Sequence, residues 1–143
     1  MTKRILVPID GHETSESIAP IVAAMAAESG ARVRLLRVAP VPEMVVAPYG
    51  RTVAYVDQEM ARITARERDD LACIEAQLVG VPVESVIRFG DPLEEILHES
   101  EAFDADLIAL AAPRRGRWRA LLGSDLAERV GRKAPVPVLV LRG

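Results

Sequence analysis

The first part of the sequence whose residues could take part in binding or catalysis is the pair Asp10-Gly11, which is predicted to form an acidic turn. It follows the apolar run Ile5–Ile9. A carboxylate at the end of a buried strand can accept hydrogen bonds from the hydroxyl groups of a ribose, or it can hold a metal ion. The same pair also suits a structural role, in which Asp10 caps the turn or the helix after it. The spacing alone leaves both interpretations open.

A second candidate is the pair Gly123-Ser124, at the predicted start of the last helix. The N-terminus of a helix presents free N–H groups and the positive end of the helix dipole, so it suits a phosphate group. Ser124 also fits an ordinary N-cap, and that role is compatible with ligand binding. The pair therefore indicates either a phosphate-binding helix start or a simple cap.

The segment Arg114–Arg119 places four arginines beside Trp118. Guanidinium groups pair with phosphate through two parallel hydrogen bonds, and a tryptophan is a common anchor where a protein partner docks. The structural alternative is a solvated basic loop with Trp118 packed beneath it. Because the net charge is −3 and the isoelectric point is near 5.5, a general nucleic-acid binder is not predicted.

The remaining reactive side chains do not indicate a catalytic or metal centre. His12 and His98 lie far apart, no spacing of cysteine or histidine indicates zinc, and no metal site is predicted. Cys73 falls within a helical apolar stripe, where we expect a small core residue. The glycine-rich motifs of P-loop and dinucleotide-binding proteins do not occur, nor does the serine motif of α/β-hydrolases. The protein is predicted not to be an enzyme.

The apolar pattern predicts the elements that must position these residues. Five short runs are predicted strands: Ile5–Ile9, Val33–Ala39, Val83–Phe89, Leu107–Ala112 and Val136–Leu141. Four helical patterns lie between them: about 14–29, 53 to a stop at Gly80, Pro92 onward behind the N-cap Asp91, and 124–133. This alternation predicts one doubly wound α/β domain over residues 1–143. The ends of strands 1 and 2 and the loop after strand 4 would meet at its ligand-binding edge.

Three local details complete these expectations. The charged stretch Arg66–Asp70 is predicted as a solvated helix face, and His98 as a surface or half-buried residue. Gly30 is predicted to end the first helix. The single cysteine excludes an intrachain disulfide and fits a reducing compartment. No apolar run approaches the roughly 20 residues that span a membrane, so we predict a cytoplasmic protein without a membrane partner.

Several segments resemble the universal stress protein family. These are the opening, the entry to the third helix, the fourth strand, the last helix and the last strand: Lys3–Gly11, Gly90–Pro92, Asp106–Ile108, Leu121–Ser124 and Ala134–Val140. Each piece is short, but five in the right order cover essentially the whole chain. The resemblance implies a Rossmann-like, five-stranded parallel sheet of order 3-2-1-4-5. It also implies a homodimer that forms through the last strand.

Nucleotide-binding members of that family carry a loop of the form G-x2-G-x9-G-[ST]. Counted back from Gly123 or forward from the fourth strand, its first two positions hold other residues here: Leu110 and Pro113, or Ala111 and Arg114. Only Gly116, Gly123 and Ser124 remain from the glycine-rich pattern. The glycines let backbone N–H groups approach phosphates, and Pro113 has no N–H to offer. The resemblance therefore implies weak or absent ATP binding, unless arginine side chains replace the lost contacts.

Three hypotheses of function follow. The leading one is a non-catalytic, homodimeric stress-response protein that acts through partners, with a docking site at the arginine-rich segment. The alternative is a stress sensor that binds an adenine nucleotide, ATP or AMP with Mg²⁺. Its predicted contacts are Pro8, Ile9, Asp10, Val38, Arg114, Arg115, Gly116, Gly123 and Ser124. The third is slow nucleotide hydrolysis, which has no assigned residues because no pair of base and nucleophile is visible.

The last predicted strand also indicates how the chain assembles. Val136–Leu141 is apolar on both faces, yet Pro137 cannot donate to a strand ladder, which indicates an edge strand or an irregular start. An open apolar edge favours aggregation unless another strand pairs with it, and a two-fold axis pairs it with its own copy. The predicted dimer interface consists of Val136, Val138, Leu139, Val140 and Leu141.

Overall fold

The computed structural model describes residues 2–9, 17–42, 52–112 and 126–142, which form a parallel sheet flanked by helices. The strands are β1 (Arg4–Ile9), β2 (Arg32–Ala39), β3 (Val83–Phe89), β4 (Leu107–Ala112) and β5 (Val138–Arg142). The helices are α1 (Ala19–Ser29), α2 (Thr52–Glu75), α3 (Pro92–Phe103) and α4 (Leu126–Lys133). The strand order is β3-β2-β1-β4-β5, and every pairing is parallel. The predicted doubly wound α/β fold is confirmed.

The central strand, β1, lies between β2 and β4. Its Ile5 is opposite Val33 of β2 and Leu107 of β4. Just before the strand, the backbone N–H of Lys3 donates to the Asp106 carboxylate at 2.7 Å. These contacts join the start of the chain to a segment about one hundred residues later.

The sheet separates two apolar layers because successive side chains of a strand point to opposite faces. On one face, Ile5 and Val7 pack with α1 and with buried residues of α2 such as Leu71. On the other face, Leu6 packs with Ile108 and with residues of α3 and α4. Strands covered on both faces need continuous apolar runs, and β1 and β4 have them.

The start of α3 is fixed by its capping residue. Asp91 has extended backbone angles, and its carboxylate accepts a hydrogen bond from the Glu94 N–H at 3.0 Å. Pro92 follows in the first turn, where its missing N–H leaves no helical bond unmade. This confirms the predicted cap.

Replacing Asp91 with alanine should lower the free energy of unfolding by about 0.5–2 kcal/mol, because the Glu94 N–H loses its acceptor. Urea denaturation measures the difference. Asp91→Asn is the matched control, since asparagine keeps a side-chain oxygen at the cap and should retain most of the stability. Equal stability of the wild type and the alanine variant would contradict this role for the carboxylate.

Two predicted helix bounds are wrong. The first helix begins at Ala19, because Pro20 lies in its first turn and has no N–H to continue a longer helix. The second helix ends at Glu75 instead of near Gly80, because the N–H groups of Gln77 and Leu78 bond three residues back and tighten the chain into turns.

Both glycines predicted to end helices adopt positive φ angles. Gly30 has a φ of 70° and ends α1 as predicted, with its N–H donating to the Ala26 carbonyl at 2.8 Å. Gly80 has a φ of 78° and lies in the turn that leads from α2 to β3. Both angles are in the left-handed region that glycine adopts without strain.

Cys73 is exposed and does not belong to the core, in contrast to the prediction. The buried stripe of this part of α2 runs through Leu71, Ile74 and, beyond its last turn, Leu78. Cys73 precedes Ile74 directly, and adjacent helical residues lie about 100° apart around the axis, so the two do not share a face.

The last strand, β5, is an edge strand that begins at Val138, two residues later than predicted. Pro137 precedes it, and the Pro137 carbonyl accepts from the Ile108 N–H of β4 at 3.1 Å. Val136 therefore lies outside the strand, where it is half-buried against the second apolar layer. Val138, Leu139, Val140 and Leu141 are also half-buried.

The described helices include none that is long and apolar enough to cross a membrane.

Candidate functional site

A cleft of about 160 Å³ lies at the carboxyl edge of the sheet, as the strand alternation predicts. The ends of β1, β2 and β4 contribute Pro8, Val38 and Ala112. The starts of α3 and α4 close its sides. The cleft is at the point where the strand order reverses, between β1 and β4, and this is where ligands bind in open α/β sheets.

The described wall of the cleft is mainly aliphatic. Leu36 and Ile96 are almost completely buried beneath it, and Leu110 lies beside them. Three of the predicted site residues, Pro8, Ile9 and Val38, line it together. An apolar cleft with few polar groups suits a flat, largely apolar ligand part such as a nucleotide base.

Six predicted nucleotide contacts lie outside the described residues: Asp10, Arg114, Arg115, Gly116, Gly123 and Ser124. Trp118 and His12 lie there too. The flanks of the arginine-rich segment are described, and they meet at the same place, because both Ala112 and Leu126 line the cleft. The described residues on either side of positions 113–125 therefore both lie at the cleft.

Arg37 is the one charged residue among the described residues that line the cleft. Its Nε donates to Glu67 Oε2 of α2 at 3.1 Å, and its Nη1 donates to the Val38 carbonyl at 2.8 Å. Glu67 is only 6 % exposed, so the prediction that the whole stretch Arg66–Asp70 faces solvent is wrong at this residue. The sequence held a signal for it: Glu67 lies four residues before Leu71, on the same buried stripe of the helix.

A second buried carboxylate, that of Glu99, lies in α3 and joins β2 to β3. It accepts from Arg34 Nη1 at 2.8 Å and from Arg88 Nε at 2.6 Å, and it is 2 % exposed. Arg34 also contacts Glu84 and lies 4.3 Å from the centroid of the Phe103 ring. Burial acts to lower the pKa of Arg34, but hydrogen bonds and charge from the two glutamates outweigh it and raise that pKa. None of these residues lines the cleft, so the cluster is structural.

The described residues contain no group of three or more histidine, cysteine, aspartate or glutamate side chains that could hold a metal ion. His98 is exposed on α3, which confirms its predicted surface position.

Comparison with known proteins gives a consistent result. The sequence model of the universal stress protein family matches residues 1–142. The protein named "Universal stress protein in QAH/OAS sulfhydrylase 3'region" of Thermus aquaticus is 31% identical over 145 residues, 99% of this chain and 100% of that protein. The solved structure of MJ0577, a universal stress protein of Methanocaldococcus jannaschii, has 27% identity and a TM-score of 0.81, covering 100% of this chain and 97% of that one.

Two more distant solved structures hold nucleotides. One is a universal stress protein in complex with cAMP, with 17% identity and a TM-score of 0.65, covering 99% of this chain and 97% of that one. The other is the universal stress protein of Archaeoglobus fulgidus in complex with dAMP, with 15% identity and a TM-score of 0.59, covering 98% and 97%. At these identities the likeness shows a shared fold.

Proposed function

The chain belongs to the universal stress protein family, and from this premise we propose that it is a non-catalytic homodimer that acts in a stress response through protein partners. The observation that carries the proposal is the edge strand β5, whose apolar residues Val138–Leu141 remain half-exposed in the single chain. A second copy of the strand would cover them and satisfy their backbone groups. The oligomeric state of the purified protein tests this assembly.

The absence of catalysis is supported by the chemistry of the cleft wall. Among its described residues, Arg37 is the one ionisable side chain, and a guanidinium stays protonated at physiological pH. The described wall therefore offers no general base, and no step of a reaction is assigned. The single cysteine of the chain supports a reducing compartment, and we place the protein in the cytoplasm.

We place one partner-docking surface at the arginine-rich segment. The exposed side chains of Arg129, Arg132 and Lys133 on α4 extend its positive charge along the chain. No carboxylate of the described residues forms an ion pair with these three. A surface of this charge fits an acidic protein partner, and salt should weaken the contact.

The second candidate function is the binding of an adenine nucleotide in the cleft. The position and apolar wall of the cleft favour it, as do the cAMP and dAMP complexes of two proteins that share the fold. The base and ribose would lie across the ends of β1 and β2, near Asp10 and Val38. The phosphates, with Mg²⁺ if more than one is present, would reach Ser124 at the helix start and Arg114 or Arg115.

We expect ATP to bind weakly or not at all, because the glycines that would let backbone N–H groups surround a triphosphate are missing. Titration calorimetry with Mg-ATP measures the affinity. Where binding is detected, Asp10→Ala and Ser124→Ala should each weaken it, whereas Asp69→Ala, on the exposed part of α2, should not. A low-micromolar dissociation constant for Mg-ATP would contradict the expectation. If both site variants bind Mg-ATP as tightly as the wild type, the nucleotide binds elsewhere.

A further inference from the structure

The sheet has a second open edge, strand β3, at the end opposite β5. Among the described strands β3 pairs with β2 alone, and it is seven residues long where β5 has five. We propose that β3 pairs antiparallel with β3 of a second copy, in a register centred on Val86, and that this contact joins β5 dimers to one another. The β3 contact itself does not depend on the β5 dimer, because it uses the other edge and a different chemistry.

The backbone of β3 directs half of its hydrogen-bonding groups away from the sheet. At the start of the strand the Pro82 carbonyl accepts from the Val33 N–H at 2.9 Å, and just past its end the Gly90 N–H donates to the Ala39 carbonyl at 3.0 Å. Successive residues of a strand direct their backbone groups to opposite sides, so the even-numbered residues bond to β2. The odd-numbered residues of 83–89 therefore direct their N–H and C=O groups to the open edge, where a second strand can reach them.

Two opposite charges lie on one face of β3, on either side of Val86. Glu84 and Arg88 are each two residues from Val86, so the three side chains point to the face that α3 covers. Arg34 donates two hydrogen bonds to Glu84 Oε1, and Arg88 Nε donates to Glu99. These bonds hold the two side chains in place, yet 56% of Glu84 and 41% of Arg88 remain exposed. Each can therefore meet a further partner of opposite charge.

This spacing makes the strand complementary to itself. In an antiparallel pair centred on Val86, Glu84 of one copy lies opposite Arg88 of the other, and the two-fold axis repeats the same pair. Val86 lies opposite its own copy. Because the odd-numbered residues make the hydrogen bonds, these three pairs are of the non-hydrogen-bonded kind, in which side chains approach most closely. Opposite charges in cross-strand pairs stabilise a sheet.

The other registers lose this match. A pair centred on Glu84 places two glutamates opposite each other, and one centred on Arg88 places two arginines together. A pair centred on Ser85 or Ile87 places one of the charges opposite Val86. Charged side chains on an edge strand discourage pairing with an arbitrary strand, whereas here the same charges favour one partner and one register.

The chemistry of the contact predicts how it responds to conditions. Its ion pairs lie near solvent, so salt should weaken the β3 contact more than the apolar β5 contact. A contact made by one short strand buries less surface than a standard interface, so we expect it to form at higher protein concentration than the β5 dimer. A copy that uses both edges joins two neighbours. The expected product at high protein concentration and low salt is therefore a series of tetramers and longer chains.

Disulfide cross-linking tests the register directly. Non-hydrogen-bonded pairs hold their Cα atoms about 4.5 Å apart, which a disulfide spans. Val86→Cys, in a Cys73→Ser background that removes the exposed native thiol, should form a covalent dimer under mild oxidation, seen on a non-reducing denaturing gel. Glu84→Cys in the same background is the matched control. Its own copy lies four residues along the partner strand, about 13 Å away, which no disulfide spans.

Sedimentation equilibrium at high protein concentration provides a test without added cysteines. The wild type should form assemblies larger than a dimer at low salt, and these should dissociate at high salt. Glu84→Gln should lower the association constant between dimers by about two- to thirtyfold, because each contact loses two cross-strand ion pairs. Glu28→Gln removes an exposed carboxylate from α1 and should leave the association unchanged.

The outcomes separate this contact from the β5 dimer. A covalent dimer of the Val86→Cys variant with a native mass of four or more chains supports both contacts. The same covalent dimer with a native mass of two chains supports the β3 contact and contradicts the β5 dimer. Equal cross-linking of the Val86→Cys and Glu84→Cys variants, or cross-linking of neither, contradicts the inference and leaves the β5 dimer in place.

Discussion

Purified wild-type protein is expected to have the mass of a dimer in light scattering at micromolar concentration, and the Val140→Pro variant that of a monomer or of aggregates. The proposed dimer joins β5 antiparallel to β5 of a second copy. Val140 is at the centre of this contact. Proline at this position removes a backbone donor and places its ring against the opposing strand.

The direction of the Val140 N–H makes this variant selective. The Pro137 carbonyl bonds to β4, and the backbone groups of a strand alternate between its two sides. Leu139 and Leu141 therefore direct their backbone groups towards β4, whereas Val138 and Val140 direct theirs to the open edge. Val140→Pro removes a donor from the dimer contact and leaves the β4–β5 hydrogen bonds in place.

Val140→Thr is the control for this prediction, because threonine is β-branched, has a similar shape and keeps the N–H. We expect it to remain dimeric. A monomeric wild type at micromolar concentration would contradict the proposed assembly. An interface built on the helices in a crystal would contradict it as well, since β5 would then have no role in the contact.

The second large effect is expected at Glu99. Replacing it with alanine should lower the free energy of unfolding by about 2–4 kcal/mol, because two arginines lose a shared buried partner. The figure is lower than for a fully buried pair, since the Arg34 and Arg88 side chains are 20% and 41% exposed and can turn in part to water. Urea denaturation of the purified variant, at a fixed protein concentration, measures the change.

Glu84→Ala provides the matched comparison. Glu84 contacts the same Arg34 guanidinium, but its side chain is 56% exposed, so its removal should change stability by less than about 1 kcal/mol. If the two variants are destabilised equally, the burial of Glu99 does not determine its contribution, and our interpretation of the cluster is wrong.

Much of the fold follows from features that are local in the sequence. The continuous apolar runs of β1 and β4 require cover on both faces, which only a sheet between two helical layers provides. Asp91-Pro92 fixes a helix start through contacts within four residues. Pro137 indicates an edge strand because it has no N–H, although it displaces the strand start to Val138. The meeting of Pro8, Ile9 and Val38 follows from topology, since parallel strands end at one edge.

The ion pairs of the buried glutamates, in contrast, cannot be predicted from local features of the sequence. Glu67 and Glu99 lie in helical segments rich in charge. Their partners Arg37 and Arg34 lie in β2, 30 and 65 residues away, and the second partner of Glu99, Arg88, lies 11 residues away in β3. A sequence pattern shows which face of a helix is apolar, but it does not show that a strand arginine will neutralise a carboxylate on that face. For this reason the sequence does not predict the ion pair between Arg37 and Glu67. The apolar stripe of α2 predicts a buried Cys73, but the angular position of Cys73 on the helix puts it outside the face of Leu71 and Ile74.

The central place of β1 has a consequence for the order of folding during synthesis. It leaves the ribosome before the other strands of this sheet, yet one of its two neighbours, β4, begins at Leu107. Until β4 has emerged, the apolar strand β1 has one unpaired side, and that side is a template for wrong pairing. The parallel pairing of β1 with β2 protects only the other side. Among the strands of this sheet, β1 therefore waits longest for its second neighbour, and we expect chains truncated before β4 to aggregate more readily than the full chain.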